Sequence, residues 1–328
     1  MRKTLLTLCF LLGNLSGAVA QHAVLRFNAR GTLRIVQFTD VHYKVGVPES
    51  EAAITNINTV LDAEQPDLVV FTGDVIFNKP AEEGLRTVLD QVARRNIPFA
   101  LTFGNHDDEQ GLSRAELLKI IQSYPNNLTG TTAGLTGVTN YVLPVQRNAS
   151  DSTAALLYII DSNSYPRIEG EKGYDFIHAD QVQWYRTMSQ SFTVQNGGRP
   201  LPSVAFFHIP VPEFRQAVSD EGTKLIGTRC EKVCAPALNT GLFASIKECG
   251  DVMGIFVGHD HDNDYALLWH DVLLAYGRYT GGNTVYNNVK PNGARVIELR
   301  EGERTLHSWI RLSDGSVTNH VYYPWKKD

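Results

Sequence analysis

The stretch LRIVQFTD, residues 33–40, and the stretch LVVFTGD, residues 68–74, decide the fold. Each is a short run rich in apolar and β-branched side chains that ends on an aspartate, which is typical of a buried strand followed by a turn. A third such run, PFALTF at residues 98–103, ends just before Gly104. These three runs predict neighbouring strands of one sheet.

Helical patterns separate these strands. Residues 50–64 place apolar side chains at spacings of three and four before Pro66, and residues 81–95 and 113–123 also read as helices. The resulting βαβαβ order predicts an α/β fold with a largely parallel sheet at its start. Further strands are expected at residues 154–160, 203–207 and 252–257, and several short ones from Tyr265 onward.

Composition and charge narrow the class of protein. The 328 residues carry a formal net charge of −5, so we expect no nucleic acid partner, since polyanion-binding proteins are usually basic. No segment approaches the roughly 20 apolar residues of a membrane span. No repeat or long linker divides the chain, so we expect one domain over residues 21–328. The oligomeric state is left open.

The first 20 residues have the form of an export signal. Arg2 and Lys3 precede an apolar stretch, and Ala18-Val19-Ala20 is a small-x-small cleavage site. We expect cleavage after Ala20 and a secreted or periplasmic protein. The alternative, a lipid anchor on Cys9, is less favoured because Cys9 lies inside the apolar stretch.

Three cysteines would remain after cleavage: Cys230, Cys234 and Cys249. In an oxidising compartment one disulfide is expected among them, although the sequence does not choose the pair. A structural zinc site built from the same three residues is the alternative, but no fourth ligand stands at a known spacing.

Five clusters of Asp, Asn and His follow the ends of apolar runs. In chain order they are Asp40-Val41-His42, Gly73-Asp74, Gly104-Asn105-His106-Asp107, His208 and Gly258-His259-Asp260-His261. Each one alone commonly caps a helix or closes a turn. In open α/β sheets, however, ligands bind outside the carboxyl ends of strands, so five strand ends can converge. Carboxylates and imidazoles suit divalent transition ions, and the set therefore predicts a metal site.

This series of clusters resembles the calcineurin-like metallophosphoesterase superfamily. More narrowly, residues 40–44, 71–74, 258–264 and 276–282 are similar to its small purple-acid-phosphatase-like branch. The likeness spans most of the mature chain. It implies a four-layer α/β/β/α sandwich, in which two mixed β-sheets are flanked by helices and two metal ions lie at the sheet edge.

The resemblance also implies a ligand set. One ion would be bound by Asp40, His42, Asp74 and His261, and the second by Asp74, Asn105, His208 and His259. Asp74 would bridge through its two oxygens. The expected reaction is hydrolysis of a small phosphomonoester by a hydroxide shared between ions about 3.5–4 Å apart. Manganese, zinc or iron, divalent or trivalent, are the expected ions, and magnesium also fits.

Residues beside the expected ligands also receive roles, the first of them by the same resemblance. His106 is similar to the family residue that protonates the leaving alkoxide, for which an imidazole pKa is suited. Asp107 would either orient His106 or cap the next helix, and Asp260 would support its neighbours without binding metal. Substrate contacts are expected from Asn105, Arg278 and Tyr279. The alternative for Arg278 is a surface ion pair.

One position departs from the coloured members of the family. True purple enzymes carry a tyrosine three residues after the bridging aspartate, and its phenolate binds ferric iron. This chain has Phe77 there. We therefore expect no purple charge-transfer band.

Two other functions remain open on the sequence. The same metal core can serve a phosphodiesterase or nucleotide pyrophosphatase, and the loops at residues 126–150 and 211–238, which are expected to wall the cleft, do not name a leaving group. A non-catalytic protein that keeps its metals is the rival from another class. All seven ligands and His106 are present, which favours the enzyme.

Overall fold

The computed structural model describes residues 24–325, so the expected export signal at residues 1–20 lies outside the described residues. The helices are α1 (Glu51–Glu64), α2 (Ala81–Ala93), α3 (Arg114–Gln122), α4 (Ala179–Gln195), α5 (Glu213–Ser219) and α6 (Leu242–Cys249). None of the helices in the described part is long and apolar enough to cross a membrane. The first three helices confirm the sequence prediction to within two residues.

Thirteen strands are found among the described residues. They are β1 (Thr32–Phe38), β2 (Leu68–Thr72), β3 (Phe99–Thr102), β4 (Tyr141–Gln146), β5 (Thr153–Ile159), β6 (Ser203–Phe206), β7 (Leu225–Ile226), β8 (Val252–Val257), β9 (Ala266–Trp269), β10 (Val272–Tyr276), β11 (Gly293–Arg300), β12 (Leu306–Leu312) and β13 (Val317–Tyr323). They form a six-stranded sheet in the order β13-β12-β11-β1-β2-β3 and a seven-stranded sheet in the order β4-β5-β6-β8-β10-β9-β7.

Both sheets are mixed. β1, β2 and β3 pair in parallel, as the βαβαβ pattern predicts, whereas β11 joins β1 in antiparallel register. In the second sheet, β5, β6, β8 and β10 run parallel, and β4 and β9 are antiparallel to their neighbours. The antiparallel strands of the six-stranded sheet, β11, β12 and β13, come from the last third of the chain.

The apolar runs are continuous because each sheet is covered on both faces. Along β1, Val36 and Phe38 pack against the helices, while Leu33 and Ile35 pack into the core shared with the second sheet. A third core lies between the second sheet and its own helices. The four-layer α/β/β/α architecture expected from the resemblance is thereby confirmed.

Buried polar side chains tie the two sheets together close to the strand ends. Gln37 Nε2 donates to Thr72 Oγ1 at 2.9 Å within its own sheet and to the Val257 carbonyl at 3.0 Å across the interface. Thr102 Oγ1 donates to the Ile160 carbonyl at 2.9 Å, also across the interface. These bonds hold the carboxyl ends of both sheets in register.

Candidate metal centre

The strand ends of both sheets meet at one place. Asp40, Asp74 and Asn105 follow β1, β2 and β3 of the first sheet, and His208 and the 259–261 segment follow β6 and β8 of the second. All seven expected ligands are buried. The structure therefore brings the whole set together, as the position of the clusters after strands predicts.

The first group of donor atoms consists of Asp40, His42 and His261. The Nε2 atoms of His42 and His261 are 3.0 Å apart, and Asp40 Oδ1 lies 3.5 Å from His261 Nε2. Asp74 Oδ2 lies 3.7 Å from His42 Nε2. Four donor atoms thus point at a common space, in the combination that the resemblance implies for one ion.

The second group consists of Asp74, His208 and His259. His208 Nε2 lies 3.1 Å from Asp74 Oδ2, 3.2 Å from Asn105 Oδ1 and 3.3 Å from His259 Nδ1. These four side chains are the ones implied for the second ion.

Asp74 joins the two groups through one oxygen. Its Oδ2 is the atom nearest to both His42 and His208, whereas its Oδ1 accepts the backbone N–H of His106 at 2.8 Å. The sequence interpretation assigned one oxygen to each ion. The structure differs because the turn after β3 delivers an N–H that occupies Oδ1.

Backbone carbonyls orient two of the histidines. His208 Nδ1 lies 2.7 Å from the Thr72 carbonyl, and His261 Nδ1 lies 2.9 Å from the Tyr286 carbonyl. A carbonyl can only accept, so each Nδ1 carries the proton and each Nε2 is available as a ligand.

Four of the expected ligands have a left-handed backbone. The φ angles are 53° at Asp40, 46° at His42, 52° at Asp74 and 79° at His259. Such angles are uncommon for residues other than glycine, and they cluster where function requires a strained geometry. The turns after β1, β2 and β8 therefore hold the donors at a cost in local conformational energy.

Neighbouring glycines allow the backbone to lie very close to the carboxylates of Asp40 and Asp74. A Cβ on Gly104 would lie 2.2 Å from Asp74 Oδ1, and one on Gly258 would lie 1.9 Å from Thr39 Oγ1 and 2.7 Å from Asp40 Oδ2. No larger residue fits at either place. The glycines that flank the clusters are thus explained by the close approach of the backbone to the carboxylates.

The pKa values describe a site that keeps its carboxylates ionised. Burial acts to raise the pKa of Asp40, but the hydrogen bond from His261 and the charge of His208 lower it to about 2. Burial lowers the pKa of His42 and of His259 to about 3. Asp74 outweighs burial at His208 and raises the pKa there to about 9. The ionised carboxylates that favour a proton on His208 would also favour a metal cation at the same place. The set of carboxylate and imidazole donors therefore fits a metal ion.

His106 is hydrogen-bonded to a residue that sequence reasoning missed. Its Nδ1 lies 2.6 Å from Glu109 Oε2, and Tyr165 links Glu109 Oε1, at 3.2 Å, to Asn105 Nδ2, at 3.3 Å. His106 itself is partly exposed. Nδ1 is engaged by the carboxylate, which leaves Nε2 as the atom that can carry a proton to a substrate.

Asp107 takes neither of the roles considered for it. Its Oδ1 accepts the N–H of Val75 at 2.7 Å, and its Oδ2 accepts those of Gly104 at 2.8 Å and Asp74 at 3.0 Å. Asp107 therefore clamps the turns after β2 and β3 to each other. Burial and the charge of Asp74 raise its pKa to about 6.

Asp260 points away from both donor groups, as expected. Its Oδ2 accepts the Tyr276 hydroxyl at 2.6 Å and the Cys234 N–H at 3.1 Å. The disulfide expected from the sequence is not formed among the described residues, since Cys230, Cys234 and Cys249 are all free thiols. Nor do the three cysteines gather around a common centre: Cys234 groups with Glu231 and Asp260 instead.

Phe77 lies between two histidines of the site. Its ring centroid is 4.8 Å from that of His42 and 4.8 Å from that of His106, and both contacts are edge-on. The position that would carry an iron-binding phenolate is thus an apolar wall.

Two of the residues that were expected to contact substrate are buried against other side chains. Tyr279 is 1% exposed, and its ring packs 5.0 Å from that of His261. Arg278 is buried in an ion pair with Asp264, at 2.6 Å, and donates to the Pro291 carbonyl. The structure gives Arg278 the ion pair that sequence analysis held as its alternative, although a buried one. Asn105 remains at the site.

Two loops that the sequence did not single out complete the walls. Tyr174 packs its ring 4.1 Å from that of His259, and Tyr286 stacks 4.4 Å from the ring of His261. Neither tyrosine belongs to a motif, so only the three-dimensional arrangement could reveal them. The loop at 211–238 does border the site, since Cys234 donates to Asp260.

Comparison with known protein families identifies the family to which the chain belongs. A sequence profile described as calcineurin-like phosphoesterase matches residues 33–263, which contain all seven expected ligands. The chain belongs to this family. Among its relatives is "Probable inactive purple acid phosphatase 29" of Arabidopsis thaliana, 31% identical over 90% of this chain and 86% of that protein. "Phosphatase DCR2" of Saccharomyces cerevisiae is 33% identical over 86% of this chain, which spans 54% of that longer protein.

Solved structures share the fold of this family member. A "dimetal phosphatase from Danio rerio" superposes with a TM-score of 0.62 at 13% identity, covering 90% of this chain and 99% of that one. "GAP50 the anchor in the inner membrane complex of Plasmodium" superposes with a TM-score of 0.56 at 14% identity, covering 90% of each. At these identities the likeness concerns the fold alone.

Proposed function

We propose that the chain is an exported phosphomonoesterase that holds two metal ions, with His106 as the general acid. The export rests on the signal pattern of residues 1–20. Manganese, zinc or iron are the ions that fit a mixed set of imidazole and carboxylate donors.

The observation that carries this proposal is the position of Asp74 Oδ2 between two complete donor groups. It lies 3.7 Å from His42 Nε2 and 3.1 Å from His208 Nε2. An oxygen in this position would be shared by both donor groups, so Asp74 would help to hold two cations. When bound, a pair of ions supplies Lewis acidity to the phosphoryl oxygens and lowers the pKa of a water molecule.

The side chains around the ions have separate tasks. Asn105 is held by Tyr165 and faces His208, so its amide is placed to orient a phosphoryl oxygen. His106, held by Glu109, protonates the leaving alkoxide from Nε2. Phe77, Tyr174 and Tyr286 exclude water from the ligand histidines by packing on their rings.

The test is a metal analysis of the purified protein, together with hydrolysis of p-nitrophenyl phosphate and bis(p-nitrophenyl) phosphate after loading with manganese, zinc or iron. About two ions per chain and a faster monoester reaction are expected. A faster diester reaction would replace the proposal with the phosphodiesterase or nucleotide pyrophosphatase alternative. Absence of bound metal under every loading would refute it.

A second candidate is a protein that binds metals without turnover, because the Arabidopsis relative carries the word inactive in its name. Replacing His106 by Asn separates the two. If the chain is an enzyme, metal content stays at about two while kcat falls roughly 10²- to 10⁴-fold, the usual contribution of a general acid. A wild-type protein that binds two ions and turns over no phosphoester supports the second candidate.

A further inference from the structure

A groove with a volume of about 420 Å³ is lined by Tyr174, whose ring packs on His259 of the second donor group. Its walls include Tyr174, Val233 and Cys234, and three basic residues line it: Lys172, Arg215 and Lys232. This volume lies within the range of about 300–1,000 Å³ that is usual for small-molecule pockets. The groove is therefore large enough for part of a substrate.

The charge of the groove contrasts with that of the chain. The whole protein has a net charge of −5, yet the described residues that line the groove include three cations and no carboxylate. None of the three forms an ion pair with an acidic residue in the described part of the chain. Three like charges around one space repel each other, and an anion placed there would relieve this repulsion.

The groove borders the candidate metal centre, because two of its lining residues contact the segment that carries His259. Tyr174 lines it and also packs on the ring of His259, 4.1 Å between centroids. Cys234 lines it and donates its backbone N–H to Asp260, which stands between His259 and His261. Tyr174 thus lies between the groove and the second donor group, and a molecule bound at both places would lie over this ring.

We propose that the groove binds a second phosphate group of the substrate, so that the preferred substrates are small bisphosphorylated compounds. This inference rests on the proposed phosphomonoesterase function. Lysine ammonium groups bind phosphate as point charges, and a guanidinium can grip two of its oxygens. The apolar stretch formed by Tyr174 and Val233 lies against the uncharged spacer between the two phosphates.

The experiment compares n-propyl phosphate with propane-1,3-diol bisphosphate as substrates of the metal-loaded protein. The readout is the ratio of their kcat/KM values. Two equivalent phosphates alone would give a ratio of about two, whereas binding in the groove should give about 10 or more, since tenfold corresponds to a modest difference in binding free energy. The ratio should fall as the salt concentration rises.

Substitutions of the groove lysines test whether the preference for the bisphosphate arises in the groove. The double variant Lys172→Ala/Lys232→Ala should lose most of the preference, and Lys172→Arg/Lys232→Arg should retain it. Lys224→Ala is the matched control, because Lys224 is exposed in the same loop but does not line the groove. The ratio should not change in this control.

The outcomes separate the two proposals. If neither compound is hydrolysed by the metal-loaded wild type, the phosphomonoesterase function itself fails. If both are hydrolysed at a ratio near two, or if the preference survives in the double alanine variant, only the groove proposal is overturned.

Discussion

Glu109 Oε2 lies 2.6 Å from Nδ1 of His106. A short 3₁₀ helix, Asp107–Gln110, begins immediately after His106, which places Glu109 three residues further along. In a 3₁₀ helix the side chains at i and i+3 are eclipsed, so they meet directly. The tight turn therefore brings a carboxylate to the imidazole without help from another element.

Replacing Glu109 by Gln should lower kcat for an aryl phosphate monoester roughly 10-fold, because the carboxylate holds Nδ1 of His106 and so fixes the orientation of the ring. Metal content should stay at about two ions per chain. Steady-state kinetics and metal analysis on the same preparation give both values. Glu83→Gln, an exposed position on α2, is the control. Equal kcat in the two variants would remove Glu109 from the mechanism.

Replacing Gly104 by Ala should reduce metal binding. The new Cβ would stand 2.2 Å from Asp74 Oδ1 and 2.5 Å from the Asp74 backbone N, so the shared carboxylate must move. Overpacking of this kind costs about 1–3 kcal/mol of stability. Metal analysis after loading is the measurement. Gly222→Ala meets only an exposed Asp220 oxygen at 3.2 Å and should retain both ions. If Gly104→Ala also retains two ions per chain, the close approach of Gly104 to Asp74 does not control metal binding.

Replacing Arg114 by Met should destabilise the fold by about 3–5 kcal/mol, the usual cost of leaving a buried charge without its partner. Arg114 is paired with the buried Asp161 and donates to the Gly104 carbonyl at 2.6 Å. Urea unfolding measures the difference.

Arg86→Met is the matched control for this prediction. Arg86 pairs with Glu82 on the exposed face of α2, and such surface pairs contribute only about 0.2–1 kcal/mol. If the two variants lose similar stability, the Arg114 pair does not hold the turn that carries Asn105.

The iron-loaded protein should show no purple charge-transfer band. Phe77 stands where the coloured relatives are expected to carry the phenolate, and its ring packs edge-on against His42 with 4.8 Å between centroids. A visible absorption spectrum, recorded with iron content on the same sample, is the measurement. A strong band in a sample with two irons per chain would mean that another tyrosine, such as Tyr174 or Tyr286, binds metal.

Local sequence pattern was sufficient for the elements that carry the ligands. The helix expected at residues 50–64 is found at Glu51–Glu64, and the strands before Asp40 and Asp74 end where the apolar runs end. These elements bury one or both faces, so their side-chain periodicity reports their geometry directly. The antiparallel pairing of β11 with β1 was out of reach, because it joins residues about 260 positions apart.

The sequence by itself predicted which residues gather at the candidate metal centre, since each expected ligand follows the end of a strand and its type is read directly. Only the tertiary structure decided how these side chains are arranged and which hydrogen bonds they form. Contacts between distant segments decide the position of Asp74 Oδ2 between the two donor groups and the Nδ1 hydrogen bonds of His208 and His261. They also decide the ion pair of Arg278 and the basic groove. Such contacts follow from the packing and register of two sheets, which no local pattern encodes.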